Sequence, residues 1–410
     1  MIRLPASSDP PSRFALRRDK PLALALTMYV VGVNPRDLES SFIRAHIERL
    51  PARTVVIHGF VPTIGTRPVL SDGAVARFAR KAQRLIRREP WSEEITQGYL
   101  AAFADRPAVV LAEYGPTGVR VIEACRRSGV PLVVHFHGYD SSVRAVLDEH
   151  RETYPRLFEA AAAIIAVSRS MRAALIDLGA PAAKVHYCPY GVDCDDFHPG
   201  SPATAPPVAL AVGRFVEKKA PQLTILAFAR AREANPAATL RMIGDGPLLG
   251  ACIDMVKALH LEHAVSFLGQ QPHDVVRSEM RAARCFVQHS VQALNGDCEG
   301  TPNAVLEAGA SGLPAVATRH AGIADVVRDG ETGFLVDERD VDGMAVGLSR
   351  LFSDVALVER MSTAARDHIA REFAIAHRLR ALWAVIEDAT GGTATAATGS
   401  VNWPAAALGS

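Results

Sequence analysis

The sequence predicts an α/β protein built as two parallel-sheet domains, and three observations carry that expectation. Its 410 residues exceed what one hydrophobic core ordinarily serves. The first half alternates short apolar runs with amphipathic helical stretches, the pattern of a parallel sheet wrapped by helices. The same pattern starts afresh at residue 208, after a run rich in Pro, Ser and Ala. Hydrophobic residues make up 49% of the chain and charged residues 22%, a globular composition that excludes disorder. A net charge of +1 argues against a dedicated nucleic-acid binder.

Residues 1–20, MIRLPASSDPPSRFALRRDK, are basic but lack the cleavable apolar block of a secretory leader, and read as a loose arm. The apolar run Pro21 to Val33 is too short to span a bilayer. Within it Leu22 to Val31 reads as a buried first strand, followed by strands at Thr54–Ile57, Ala108–Ala112, Pro131–Phe136 and Ala162–Val167. Helices fill the gaps at Ser40–Leu50, Ala74–Arg88, Thr117–Ser128 and Ser170–Leu178. Ligands of such sheets collect outside the carboxyl ends of the strands, which marks Gly32–Ser41, Glu113–Gly118 and His135–Asp140. The helix Ala74–Arg88 carries Phe78, Ala82, Leu85 and Ile86 on one face and Arg80, Lys81, Arg84 and Arg88 elsewhere. It reads as a solvated helix on the sheet, or as a patch that grips anionic lipid, each cation contributing about 1 kcal/mol.

Asp193-Cys194-Asp195 imitates the D-x-D pattern that holds a metal-diphosphate, but it falls in a connecting segment and not at a strand end, so it is set aside. The second half opens with a strand at Val208–Val212 and continues with Leu240–Gly244, Val265–Leu268 and Cys285–Gln288. The turn Gly244-Asp245-Gly246 does not complete G-x-G-x-x-G, which disfavours a hydride-transfer enzyme. Six cysteines show no C-x-x-C spacing, so neither a zinc site nor a disulfide framework is expected, and reduced thiols suit a cytoplasmic protein.

Residues 296–318, GDCEGTPNAVLEAGASGLPAVAT, organise the rest. Gly300-Thr301-Pro302 starts a helix that runs from Asn303 to Ala310 and stops at Gly312-Leu313-Pro314, ahead of a short strand at Ala315–Thr318. A helix start presents unpaired N–H groups and a partial positive charge, which suits a phosphate. Glu307, six residues past Thr301, lies roughly 9 Å along the axis, the reach from a phosphate to the ribose of one nucleotide. A carboxylate there can accept both hydroxyls of a cis-diol. Glu299, ahead of the helix, faces the group on the other side of the phosphates.

The string EGTPNAVLEAGASGLPAVATRHAGIADVVRDGETGFLV resembles the donor-binding segment of glycosyltransferase family 4, retaining nucleotide-sugar transferases marked by Glu, seven residues, Glu and a Gly-Pro turn. GRFVEKKAP is similar to that family's G-R-…-K-G segment, with Ala220 in place of the usual Gly. ESSFIRAHIERL resembles the S-E-T-F-I segment of members that build exopolysaccharides such as colanic acid, while VGVNPRD stands where many members carry a Gly-Gly phosphate loop. The resemblance implies a GT-B fold, two Rossmann-like domains facing a central cleft. It gives an acceptor-side domain at 21–195, a linker at 196–207, a nucleotide-sugar domain at 208–372 and a helix at 373–389 returning to the first domain; beyond it, the composition of 390–410 reads as a disordered tail.

It also implies roles. Glu307 would hold ribose and Glu299 the sugar hydroxyls; Arg214 and Lys219 would neutralise the leaving diphosphate without a metal. Gly300, Thr301 and Asn303 would line the phosphates, and Gly269-Gln270 would read the base through the main chain. His137 would position the sugar, with His135 as runner-up. Asp140, read from the residues alone, would orient a histidine or bind acceptor. The expected reaction is a retaining, metal-independent and cofactor-free hexosyl transfer from a nucleotide diphosphate sugar to a glycan, a lipid-linked glycan or a small hydroxyl acceptor. The expected location is cytoplasmic, with peripheral contact to an anionic membrane at the inner face. The alternatives are a nucleotide-sugar epimerase on the same fold and a donor-binding scaffold that has lost catalysis.

Overall fold

The structure, a computed structural model, describes residues 26–32, 34, 38, 40–70 and 91–391. The basic helix expected at Ala74–Arg88, the arm at 1–20, most of the Gly32–Ser41 loop and all but the start of the tail lie outside the described residues. The described chain divides into two compact units, one drawn from 26–134, 160–162 and 386–391 and the other from 135–159 and 163–385.

In the first unit, β1 (Thr27–Gly32) is central. It pairs in parallel with β2 (Arg53–His58) on one side, Met28 opposite Thr54, and with β5 (Val109–Glu113) on the other, Met28 opposite Val109. Met28, Val30 and Val31 are fully buried, as a strand covered on both faces requires. Beyond β2 the chain doubles back through two-residue strands, β3 (Thr63–Ile64) and β4 (Arg67–Pro68), as an antiparallel edge. The sequence gives no period for such short strands. Helices Ser41–Arg49 and Gly115–Ser128 fall where expected, the latter closed by Gly129 at φ +68°. A further helix, Trp91–Ala102, carries Glu93 and Glu94 in its first turn, where they suit the helix dipole. At the end of β5, His46 Nδ1 lies 2.9 Å from Glu113 Oε1, both side chains buried. The strand β6 (Leu132–Phe136) ends in the second unit.

The second unit contains the parallel pair β7 (Ala163–Ala166) and β8 (Val185–Tyr187), and a six-stranded parallel sheet. The sheet is formed by β9 (Val208–Val212), β10 (Thr239–Ile243), β11 (Val265–Phe267), β12 (Cys285–Gln288), β13 (Ala315–Thr318) and β14 (Gly333–Val336), in the order β11-β10-β9-β12-β13-β14. Apolar helix faces cover it: Ile225 and Phe228 of the helix Pro221–Ala234, and Met344, Leu348 and Leu351 of the helix Val341–Ser353, are all fully buried. The segment after β8 is packed against other parts of the second unit. Val192 bridges Ala374, Phe197 is buried, and the Arg366 guanidinium donates to the carbonyls of Cys194, Phe197 and Ala310. Asp193 accepts the Asp195 N–H at 3.2 Å, which turns that carboxylate onto its own backbone. Helices Val355–Glu372 and Ile375–Ala389 close the described chain, separated at Phe373–Ala374.

Candidate functional site

Two loops, one after β9 and one after β12, meet at the centre of the second sheet. They adjoin because the chain first builds β10 and β11 outward from β9, then returns to lay β12 on its other side, Phe286 opposite Leu210. The connections leave in opposite directions, and at such a switch point open sheets bind ligands.

The loop after β9 is fixed from the neighbouring turn. Gly213 donates to the Ile243 carbonyl and Phe215 to that of Asp245, each at 2.9 Å. A Cβ on Gly244 would lie 2.0 Å from the Gly213 oxygen, so the Gly244-Asp245-Gly246 turn is glycine because two backbones touch there. The chain then makes one short turn, Glu217–Lys219, and passes through Ala220 at φ +36° into the helix Pro221–Ala234. Ala220 thus occupies a left-handed position that favours glycine.

All three residues of that turn hold the opposite loop. Glu217 Oε1 accepts the Leu294 N–H at 2.6 Å; Lys218 Nζ lies 3.0 Å from Asp297 Oδ1 and 3.1 Å from the Cys298 carbonyl; Lys219 Nζ lies 3.2 Å from Glu299 Oε1. Glu299 is 8% exposed. Burial pushes its carboxyl up, but the charges of Lys219 and Lys218 and the Lys219 hydrogen bond outweigh this and hold it below the usual range.

The His137 loop packs directly on this one. A Cβ on Gly300 would sit 2.3 Å from the His137 oxygen and 2.9 Å from Val167 Cγ2, so only glycine fits. Asp140, fully buried, accepts the N–H groups of His137 (3.0 Å) and Gly138 (2.9 Å), which shapes the loop. The His137 ring lies against Tyr190, with Nδ1 2.6 Å from the Tyr190 hydroxyl, and its centroid is 4.4 Å from that of His135. His135 is 1% exposed and His137 8%.

The helix Asn303–Ala310 begins beyond Thr301, whose hydroxyl donates to the Val167 carbonyl (2.5 Å) and accepts the Tyr190 N–H (3.1 Å). The Thr301 side chain is therefore engaged within the protein, and Asn303 opens the helix half-buried. Glu307 is half-buried in the same helix; burial pushes its carboxyl up to about 7, against the pull of Arg277 and Lys219. Arg214 is exposed at the end of β9 and has no ion-pair partner among the described residues. Gly269, at φ +67°, accepts the Gly244 N–H at 2.8 Å, and Gln270 beside it is exposed.

The structure thus brings together Lys219, Glu299, Gly300 and the His137 loop, with Glu307 near enough to feel the Lys219 charge. Sequence reasoning missed Lys218, Tyr190, His320 and Glu338. Lys218 had a signal, a second lysine beside Lys219; the others find their partners only through the fold.

Comparison with known proteins places these loops in context. Residues 195–368 match the family model described as Glycosyl transferases group 1, and residues 39–196 match Glycosyltransferase Family 4. WcaL of Salmonella typhimurium, named for colanic acid biosynthesis, is 32% identical over 273 residues, 65% of this chain and 66% of that protein. The amylovoran biosynthesis glycosyltransferase AmsK of Erwinia amylovora is 32% identical over 243 residues, 59% of this chain and 60% of AmsK. The match therefore spans less than two thirds of these relatives' length. Among solved structures, Anabaena HepE in complex with UDP superposes with a TM-score of 0.69 at 18% identity, over 88% of this chain and all of HepE. Sucrose-phosphate synthase from Thermosynechococcus elongatus gives 0.68 at 17% identity, over 90% of this chain and all of that one.

Proposed function

This chain belongs to glycosyltransferase family 4, and from that premise we propose that it moves a hexose-type sugar, with retention and without a metal, from a nucleotide diphosphate sugar to a hydroxyl acceptor on a glycan or lipid-linked glycan. Its fold is GT-B, of α/β units built on parallel strands. The observation that carries the proposal is the contact between Lys219 and Glu299, 80 positions apart, at the switch point of the second sheet.

In this reading Lys219, Lys218 and Arg214 meet the charge that grows on the diphosphate as the glycosidic bond breaks, the role fixed donors fill most effectively in a transition state. Glu299, ionised, accepts hydroxyls of the sugar, and Glu307 accepts those of the ribose. His137 approaches the sugar from the adjoining loop. The acceptor oxygen bonds to the anomeric carbon on the face the diphosphate leaves, and its proton passes to the departing phosphate oxygen. Gly269-Gln270 meets the base through its backbone. The relatives' names support a glycan product: colanic acid for WcaL, amylovoran for AmsK. HepE was solved with UDP-glucose, and a mycobacterial relative is named as GDP-mannose-dependent, so the proposal specifies the donor class and not one base. No helix among the described residues is long and apolar enough to cross a membrane; a cytoplasmic location belongs to the proposal. The relatives' names do not favour an epimerase or an inactive scaffold.

The test is a thermal-shift screen of the full chain against UDP-, GDP- and ADP-sugars, followed by measurement of nucleoside diphosphate release. We expect one base to raise the midpoint and to be released. A chain that neither shifts with nor cleaves any of them is not a transferase of this kind.

A further inference from the structure

The loop bearing Glu299 is also held from the side of the sheet opposite β9. The Glu299 backbone N–H donates to His320 Nε2 at 3.2 Å. An imidazole nitrogen that accepts carries no proton, so the ring proton sits on Nδ1. There it is donated to Glu338 Oε1 at 2.5 Å, and Glu338 Oε2 accepts the Gln292 N–H at 3.0 Å. One carboxylate therefore fixes the start of the loop directly and its acidic end through a histidine. His320 follows β13 and Glu338 follows β14, the strands next in order after β12, so the relay runs along successive strand ends. His320 is 3% exposed, and a buried imidazole with both nitrogens engaged has one orientation available.

We propose that His320 and Glu338 form a positioning dyad that sets the backbone of Glu299, and so aims its carboxylate, for sugar transfer. The proposal rests on the reading of Glu299 as the group that holds the donor sugar. Neither dyad residue needs to touch a ligand. Their effect is on how well Glu299 is aligned, and misalignment lowers turnover more than affinity.

Two measurements on the full-length chain test it. With UDP-glucose and GDP-mannose as probes, nucleoside diphosphate release by His320→Leu should show kcat reduced roughly tenfold, the scale of one lost hydrogen bond, with KM nearly unchanged. His320→Gln, which returns an amide oxygen to the Nε2 position, should recover most of it, and Glu338→Gln should fall between. Without any donor, amide exchange at Glu299 should quicken roughly tenfold in His320→Leu and not in His320→Gln, and nitrogen spectra of wild type should show His320 as the Nδ1–H tautomer. An Nε2–H tautomer, unaltered exchange in His320→Leu, or wild-type kcat in that variant overturns the dyad. If wild type cleaves neither donor, the transfer reading is in question, while exchange and tautomer still decide the dyad. Should the leucine variant fail to fold, His320→Gln exchange and the wild-type tautomer decide alone.

Discussion

Lys219 Nζ stands 3.2 Å from Glu299 Oε1, and both side chains are largely removed from solvent, 16% and 8% exposed. Lys219→Ala therefore removes a fixed cation and leaves a buried carboxylate compensated by the charge of Lys218. The expected outcome is a fall in kcat/KM of ~10² to 10³ with the fold retained, read from initial rates of nucleoside diphosphate release. Lys218→Ala, whose ammonium is engaged by Asp297, should cost less. Full activity in Lys219→Ala would remove the leaving-group assignment.

Two glycines whose missing Cβ lets backbones touch set a second expectation. Gly300→Ala brings a Cβ to 2.3 Å from the His137 oxygen, and Gly322→Ala one to 2.0 Å from the Gly300 oxygen; both obstacles are backbone. Each substitution should destabilise by about 2 to 3 kcal/mol in urea unfolding. Gly250, in the helix Leu249–Ala258, has nothing within 4 Å of the added methyl, so Gly250→Ala should be neutral or gain up to about 1 kcal/mol.

Glu307 gives a pH dependence whose sign can be worked out. Burial raises its carboxyl from 4.5 to about 7, so the folded chain binds this proton more tightly than the unfolded chain does. Stability from this group is fully present below pH 4.5 and is lost as pH rises through 7. Glu307→Gln, which cannot ionise, should thus match wild type in acid and exceed it above pH 8, by at most about 3 kcal/mol. Nucleotide affinity should run the other way in wild type, rising with pH as the carboxylate becomes able to accept both ribose hydroxyls. Thermal melts and titrations between pH 5 and 8.5 check both slopes, and parallel curves for the two proteins would refute the burial argument.

His137 is held by groups that can be altered one at a time. Tyr190→Phe deletes the hydroxyl 2.6 Å from His137 Nδ1 and should lower kcat about five- to tenfold at a cost of about 1 kcal/mol in stability. Asp140→Asn exchanges a carboxylate that accepts two N–H groups for a neutral amide, and should cost about 1.5 to 3 kcal/mol of stability in urea unfolding. Equal stability of Asp140→Asn and wild type would mean that this loop does not need the charge.

What the sequence disclosed depended on distance along the chain. Strands β9, β12 and β13 and the helix Asn303–Ala310 fall on the residues that periodicity and Gly-Pro punctuation pick out. The edge strands β3 and β4 went unread because two residues hold no alternation, and the strand β14 because, after Gly333, its apolar run is only three residues long. Gly244 and Gly246 were visible as a turn, but the reason for them, pressure from the Gly213–Phe215 backbone, is tertiary. His320 was invisible for the same cause: its ring is explained by Glu299 and Glu338, 21 and 18 positions away, and no local pattern links them. Lys219 and Glu299 could be paired in advance only because each sits in a string resembling one family; spacing alone says nothing about residues 80 apart.

The Glu217–Lys219 turn braces the acidic loop before any ligand arrives. The disorder that loop would otherwise have is given up during folding, so an encounter with a small anionic molecule has little left to freeze. Binding at this rim should therefore resemble docking onto a rigid mould, with the speed of capture set by diffusion and by the attraction of its lysines.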